Sequence, residues 1–176
     1  MDKIILTGPK HCGKSTAGEL LASIISGSFI DLDTEITQKT GKTPRELYKE
    51  NPAVFQKAEA EALTSLAGVD CDRKRIIATG GGIIDNPDAV THLSLLKNSG
   101  VKIVYLNISA AAAWERITAG SKELPPFLQT NTPQETHHAL HERRATAYLK
   151  FADIVIDVEG KTPSAIASEI ASVIYY

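Results

Sequence analysis

Short apolar runs alternate with longer amphipathic segments along the whole chain. Five runs rich in β-branched and aliphatic residues predict buried strands at 3–7, 28–32, 75–79, 101–108 and 153–158. The segments between them, several opened by Thr-Pro or Asn-Pro, predict helices that begin near residues 16, 34, 44, 52, 87, 109, 133 and 163. Alternating strands and helices indicate right-handed βαβ crossovers and a parallel sheet covered on both faces. The pattern therefore predicts an α/β fold in a single domain, residues 1–176.

The hydrophobic pattern also predicts which helix faces are buried. In the first helix, over 16–25, the apolar stripe consists of Leu20, Leu21, Ile24 and Ile25. In the helix that begins at Pro52, the apolar set is Val54, Phe55, Ala58, Ala62, Leu63 and Leu66. Thr43 and Thr132 each precede a proline and stand three residues before a glutamate, which predicts two helix N-caps. Residues 120–132 are polar and contain proline, which predicts a mobile loop.

One glycine-rich segment carries the clearest chemical signal. Residues 8–16 read Gly-Pro-Lys-His-Cys-Gly-Lys-Ser-Thr and match the P-loop pattern G-x-x-x-x-G-K-[ST]. The segment lies between a predicted strand and a predicted helix, where backbone amides and a helix N-terminus can bind phosphate. Lys14 is then expected on the outer phosphates and the Ser15 hydroxyl on Mg²⁺. The candidate nucleotide-binding residues are Gly8, Lys10, His11, Cys12, Gly13, Lys14, Ser15 and Thr16.

Two carboxylates follow the second predicted strand. Asp31 and Asp33 lie two residues apart, so in an extended chain both face the same side. One carboxylate is then a candidate for Mg²⁺ and the other for the hydroxyl of an acceptor. The structural alternative is a strand end followed by a helix whose N-cap is Asp33.

Further candidates lie in the second half of the chain. Gly80, Gly81 and Gly82 expose backbone amides that can approach a substrate or a phosphate closely, with a tight structural turn as the alternative. Arg144 can bind a carboxylate through its two-pronged guanidinium and Arg116 can stack on a base, although exposed helix arginines are common. His137 and His141 lie one helical turn apart and could bind a metal, but no acidic or cysteine third ligand stands beside them. A solvated helix face is the favoured interpretation of these histidines.

Composition and charge narrow the classes of function. The 176 residues are 43% hydrophobic and 23% charged, as in an ordinary globular protein. A net charge of −2 without a basic stripe argues against binding to nucleic acid, and no apolar run is long enough for a membrane span. The two cysteines, Cys12 and Cys71, favour reduced thiols in the cytoplasm over a disulfide framework. The apolar residues before the glycine-rich segment are too few for a signal peptide.

Taken together, these positions resemble the shikimate kinase family of P-loop small-molecule kinases over nearly the whole chain. The matching stretches are 8–16, 29–33, Phe55 with Glu59, 78–82, 104–106, and Arg144 with Tyr148, Ala152 and Asp153. The resemblance implies a five-stranded parallel sheet of order 2-3-1-4-5, a lid over about 120–132, and ATP with Mg²⁺. It also implies that Asp33 faces the acceptor hydroxyl and that Arg144 holds the acceptor's carboxylate. Gly80, Gly81 and Gly82 would line the acceptor pocket, and Arg116 would lie by adenine.

Two positions depart from the family pattern. The family has an arginine after the phenylalanine, where this chain has Gln56, whose neutral amide would face the acceptor's carboxylate. The family lid carries an arginine before Pro-Leu-Leu, whereas residues 123–128 here read Glu-Leu-Pro-Pro-Phe-Leu. The expected function is ATP-dependent phosphoryl transfer to a hydroxyl of a small anionic metabolite, first of all shikimate, by a monomer or weak dimer. The alternatives are a kinase of the same fold for another polyol or sugar acid, and a nucleotide-binding module without turnover.

Overall fold

A five-stranded parallel sheet forms the centre of the protein, in a computed structural model that describes residues 3–68, 73–120, 124 and 128–175. The strands are β1 Lys3–Thr7, β2 Ser28–Asp31, β3 Arg75–Ala78, β4 Lys102–Asn107 and β5 Ile154–Asp157. They pair in parallel in the order β2-β3-β1-β4-β5. This order confirms the expected α/β class and strand order, while the strands after β1 are shorter than the apolar runs suggested.

Helices follow the strands and cover both faces of the sheet. They are α1 Lys14–Ile24, α2 Leu32–Thr40, α3 Pro44–Glu50, α4 Pro52–Gly68, α5 Pro87–Asn98, α6 Ala110–Gly120, α7 Pro133–Phe151 and α8 Pro163–Tyr175, with a short 3-10 helix at Ile83–Asp85. Thr43 caps α3 with the predicted capping box, in which its own N–H donates to Glu46 Oε2 at 2.8 Å. Thr132 makes no side-chain cap on α7, so that prediction was wrong. Its backbone carbonyl instead accepts the Thr136 hydroxyl at 2.9 Å.

The core lies in two layers, one on each face of the sheet. Helices α1 and α8 pack on one face, and α2, α4 and α5 pack on the other. The predicted stripe of α1 was partly wrong, because Leu20 and Ile24 are 38% and 50% exposed. The buried face of α1 instead uses small residues, since a Cβ at Gly18 would lie 2.4 Å from the Phe29 ring. The α1 backbone packs closely against the Phe29 ring, and this close approach, which an apolar pattern does not encode, decides which face of α1 is buried.

The turn from β2 into α2 differs from the extended geometry expected for the two carboxylates. The strand ends at Asp31 and the helix begins at Leu32, so Asp33 lies in the first turn of α2. Asp31, rather than Asp33, is the N-cap residue and accepts the Asp33 N–H at 3.0 Å. The two side chains therefore have separate surroundings, and each can carry a different task.

The expected lid falls only partly on residues that the structure describes. Residues 121–123 and 125–127 lie outside them, so the mobile loop over 120–132 stays a prediction. Across the described ranges, no helix combines the length and the apolar character that crossing a membrane requires.

Candidate active site

The glycine-rich segment between β1 and α1 has the backbone of a phosphate-binding loop. Gly8 adopts a φ of 145°, and a Cβ there would lie 2.6 Å from the carbonyl oxygen of Leu106. Gly13 adopts a φ of 100° and is the N-cap of α1 without any side-chain capping bond. The first N–H groups of α1 are therefore not used by a side-chain cap and can donate to an anion, with the helix dipole in the favourable direction.

Lys14, the first residue of α1, is folded back over this loop. Its Nζ donates to the carbonyl oxygens of Gly8 at 2.9 Å and Pro9 at 2.8 Å, and the side chain is buried. These two bonds fix the ammonium above the loop, where a nucleotide's outer phosphates would compete for it.

The remaining loop residues divide between backbone and side-chain roles. Cys12 is fully buried in the core beside α1, so it offers the ligand only its backbone. His11 has a left-handed φ of 62°, and burial and the charges of Lys10 and Lys14 lower the pKa of its imidazole. Arg116 of α6 donates from Nη1 to the carbonyl oxygens of His11 and Cys12 at 3.3 and 3.4 Å. The structure thus brings Arg116 to the rim of the phosphate loop.

The two carboxylates after β2 lie beside the loop, facing different partners. The Ser15 hydroxyl donates to Asp31 Oδ2 at 2.7 Å, which places a hydroxyl and a carboxylate side by side. Asp33 Oδ1 lies by the glycine turn after β3, 3.3 Å from the position of a Cβ at Gly80. Partial burial and then repulsion from Asp31 raise the pKa of Asp33, although Lys14 and Lys10 oppose this. A raised pKa makes the Asp33 carboxylate a stronger base than an ordinary aspartate. Its side chain still reaches solvent.

The turn Gly80–Gly81–Gly82 connects the separate parts of the site. A Cβ at Gly81 would lie 2.8 Å from the Lys10 amide nitrogen, and one at Gly82 would lie 3.4 Å from Arg144 Nη2. Side chains at these two positions would therefore push on the phosphate loop and on Arg144. The hydroxyl of Tyr148 donates to the Gly81 carbonyl at 2.9 Å and fixes this turn against α7.

Arg144 carries a partner that the sequence did not suggest. Asp85, at the end of the 3-10 helix, accepts Arg144 Nη2 at 2.6 Å and Nε at 2.8 Å through Oδ2. Its Oδ1 accepts Arg143 Nη1 at 2.7 Å. Burial alone would raise the pKa of Asp85, but hydrogen bonds from both arginines bring it below its ordinary value. No local pattern around Asp85 predicts the pair, because the two partners lie 59 residues apart.

Similarity over nearly the full chain decides the family. A sequence profile described as shikimate kinase matches residues 10–175. The chain belongs to the shikimate kinase family. The shikimate kinases of Moorella thermoacetica and Geobacter sulfurreducens are each 36% identical, over 168 and 170 residues, covering 95% and 96% of this chain and 91% and 88% of theirs. The solved structure of shikimate kinase from Acinetobacter baumannii in complex with shikimate superposes with a TM-score of 0.86 at 27% identity, covering 99% of this chain and 93% of the other.

Gln56, which stands where the shikimate kinase pattern has an arginine, lies on α4. The backbone carbonyl of Gln56 accepts a hydrogen bond from Asn86 Nδ2 at 2.7 Å, and the residue borders an open groove between α4 and α5. One turn further along α4, Glu59 is 1% exposed and accepts Asn86 Nδ2 at 2.9 Å. Burial, more than any neighbour, raises the pKa of Glu59 to about 7. A buried acid that sequence reasoning noted only as a match to the family therefore lies beside the glycine turn, with its Oε1 3.1 Å from the position of a Cβ at Gly80.

The histidines of α7 are buried, so their interpretation as a solvated face was wrong. His137 and His141 are 5% and 9% exposed and line a recess together with Lys10, Arg144 and Tyr148. Burial lowers the pKa of His137 to about 4, and His141 Nε2 lies 2.9 Å from the Ile108 carbonyl oxygen. Packing of α7 on α6, where Trp114 lies 5.5 Å from His137 between ring centroids, covers them. Within the described part of the chain, no three acidic, cysteine or histidine side chains come together as a metal site would require.

Proposed function

We propose that this protein transfers the terminal phosphoryl group of ATP to a hydroxyl of shikimate. The observation that carries the proposal is the glycine turn at 80–82, which contacts Lys10 of the phosphate loop and approaches both Asp33 and Arg144. One turn thereby brings the Asp33 carboxylate and the Arg144 guanidinium beside the phosphate loop, where they would act as base and as carboxylate-binding group. The full-length similarity to shikimate kinases supports the choice of acceptor.

The nucleotide would be held by the phosphate loop. The loop offers the backbone amides from Lys10 to Ser15 and the open N-terminus of α1, with Thr16 in its first turn. Lys14 would exchange its carbonyl partners for phosphate oxygens, since a charged partner makes the stronger hydrogen bond. Arg116 would lie by the adenine ring, because it already borders the loop at His11 and Cys12. Bound ATP supplies the phosphoryl group and its leaving group.

Magnesium fits the residues beside the loop. The donor set is the Ser15 hydroxyl and the Asp31 carboxylate, whose oxygens lie 2.7 Å apart. Mg²⁺ prefers oxygen ligands and usually takes only one or two from the protein, with phosphate and water completing its coordination. Ser15 and Asp31 would therefore hold the ion, which neutralises phosphate charge when bound.

Asp33 would act as the general base on the acceptor hydroxyl. Its raised pKa and its place beside Gly80 suit a group that accepts a proton as the hydroxyl oxygen attacks. Arg144 would bind the acceptor's carboxylate, and the amides of Gly80, Gly81 and Gly82 would line the pocket between them. Gln56 would add a neutral amide at most, so Arg144 supplies most of the attraction for the anion. With Asp33 at one side and Arg144 at the other, the acceptor is oriented with one hydroxyl toward the phosphate loop.

The variant Asp33→Asn tests the assignment of the base. The amide keeps the size of the side chain but cannot accept the proton, so kcat on shikimate should fall about 100-fold or more. ATP binding by calorimetry should be unchanged, because Asp33 does not contact the loop amides. Asp88→Asn, an exposed acid on α5, is the matched control and should keep wild-type turnover. Asp33→Asn at the wild-type rate would reject the base, and a wild-type enzyme that binds ATP but never phosphorylates shikimate would reject the acceptor.

A cytoplasmic location, a monomeric or weakly dimeric state and the single-domain organisation stay predictions. Gel filtration with light scattering would test the second of these at micromolar concentration.

A further inference from the structure

The carboxylate of Asp85 already binds Arg144, the arginine proposed above to bind the acceptor's carboxylate. Its Oδ2 accepts two donors on one edge of the Arg144 guanidinium, at 2.6 and 2.8 Å. Both donors on that edge therefore go to one oxygen of Asp85, and they are the donors that a carboxylate from outside would need for a two-pronged contact. An anionic acceptor that approaches Arg144 therefore meets a guanidinium whose charge is already compensated.

Arg143 gives Asp85 a second partner on its other oxygen. The bond from Arg143 Nη1 reaches Oδ1 at 2.7 Å, so it does not share the oxygen that Arg144 uses. The Arg143 side chain is 59% exposed, whereas that of Arg144 is 18% exposed. Asp85 can thus turn away from Arg144 and remain paired, which avoids leaving a half-buried carboxylate without a cation.

We propose that Asp85 sets the affinity of the acceptor pocket for anions by competing with the acceptor's carboxylate for Arg144. When the acceptor's carboxylate displaces Asp85 from Arg144, Asp85 keeps its ion pair with Arg143. Asp85 is then a specificity-determining residue that acts through Arg144 and does not touch the reacting atoms. The inference rests on the proposed function, since it takes Arg144 as the residue that binds the acceptor.

The charges around Arg144 favour competition over simple support. Glu59 is close enough to feel the charges of both Arg144 and Asp85, so Asp85 is the second acidic side chain near a largely buried guanidinium. Gln56 adds no positive charge where the family pattern has an arginine. In such surroundings, each internal anion that Arg144 compensates weakens its attraction for an external one.

Two variants should change the KM for shikimate in opposite directions. Asp85→Asn keeps the shape and removes the charge, so KM should fall about three- to tenfold, with the change on KM rather than on kcat. In Arg143→Ala, Asp85 has lost its second partner and binds Arg144 more firmly, so the KM for shikimate should rise about two- to fivefold. In the double variant the effect of Arg143→Ala should vanish, because the competitor it restrains is gone. Asp88→Asn removes the same charge from an exposed site on α5 and should leave KM within twofold.

The methyl ester of shikimate separates competition from general repacking. It lacks the carboxylate charge, so Asp85→Asn should improve its binding little or not at all, whereas binding of shikimate should improve three- to tenfold by calorimetry. A KM for shikimate that rises or stays constant in Asp85→Asn, with turnover retained, overturns the competition and leaves the proposed function standing. If neither wild type nor any variant phosphorylates or binds shikimate, the proposed function fails and the competition fails with it.

Discussion

Glu59→Gln should stabilise the folded protein in a manner that depends on pH. Glu59 is 1% exposed, and its pKa is raised to about 7 from an ordinary value of 4.5, chiefly by burial. A folded-state pKa above the unfolded value means that the unfolded chain ionises first as pH rises. The wild-type protein therefore loses stability as pH rises from about 4.5 to about 7. Glutamine has nearly the same size, stays neutral, and can still accept the hydrogen bond from Asn86.

The size of the effect follows from the two pKa values. At pH 7.5 the wild type has lost nearly the full difference, about 3 kcal/mol at 1.36 kcal/mol per pKa unit. At pH 5 Glu59 is largely ionised in the unfolded chain but still protonated in the folded protein, and the same linkage gives a loss of about 1 kcal/mol in the free energy of unfolding. Glu59→Gln should therefore exceed the wild type in free energy of unfolding by about 1 kcal/mol at pH 5 and about 3 kcal/mol at pH 7.5.

Urea unfolding followed by circular dichroism at both pH values measures this difference. Glu61→Gln is the matched control on the same helix, since the Glu61 side chain is 67% exposed and its partner Lys57 lies 3.9 Å away. Its difference from wild type should stay within about 0.5 kcal/mol at both pH values. Comparing variants at a single pH cancels the other titrating groups, including the buried histidines.

A gain that is equal at both pH values would refute the reasoning, because it would come from packing rather than from ionisation. A loss of stability at pH 7.5 would refute it more strongly, since it would mean that the ionised Glu59 is favourably paired in the folded protein.

Three further perturbations test separate parts of the site. Lys14→Ala should weaken ATP binding at least about tenfold by calorimetry, because the outer phosphates lose their charged partner; unchanged affinity would contradict the phosphate-loop assignment. Gln56→Arg should lower the KM for shikimate about tenfold with little change in kcat, and a higher KM would mean that the new guanidinium is left unpaired. On lowering the pH from 7.5 to 5, His137→Gln should lose about 1–2 kcal/mol less free energy of unfolding than the wild type, measured by urea unfolding. The reason is that the buried imidazole, with a pKa of about 4, stays neutral in the folded protein, whereas in the unfolded chain it is protonated below about 6.5. Equal losses in the two proteins would mean that His137 is exposed to water.

Features encoded in neighbouring residues could be predicted from the sequence. The P-loop pattern places glycine at two positions, and Gly8 and Gly13 both have positive φ values, 145° and 100°, that residues with a Cβ rarely adopt. The capping box of Thr43 and the Asn-Pro start of α5 are local hydrogen-bonding arrangements and appear where the sequence predicts them, whereas the same signal at Thr132 gives no side-chain cap. The strand order followed from resemblance to a family and not from local pattern, because the pairing of strands is not a local property.

Features that depend on what packs against a residue were decided by the tertiary structure. The stripe of α1 was misread because close approach to Phe29 favours Gly18 over larger neighbours. The histidines of α7 read as a polar face, yet α6 covers His137 and removes it from water. In each case the residue type was visible, but its exposure depended on an element distant in the chain.

The site itself shows the same division between local and tertiary information. The sequence by itself determined the phosphate loop, the candidate carboxylates and the glycine turn, because each is a short motif that follows a strand. Only the tertiary structure decided that Asp31 pairs with Ser15 while Asp33 faces Gly80, since Asp31 is the extended N-cap of α2 and Asp33 already lies within the helix. It alone brought Asp85 onto Arg144 across 59 residues, because an ion pair between distant segments depends on the packing of α7 against the glycine turn.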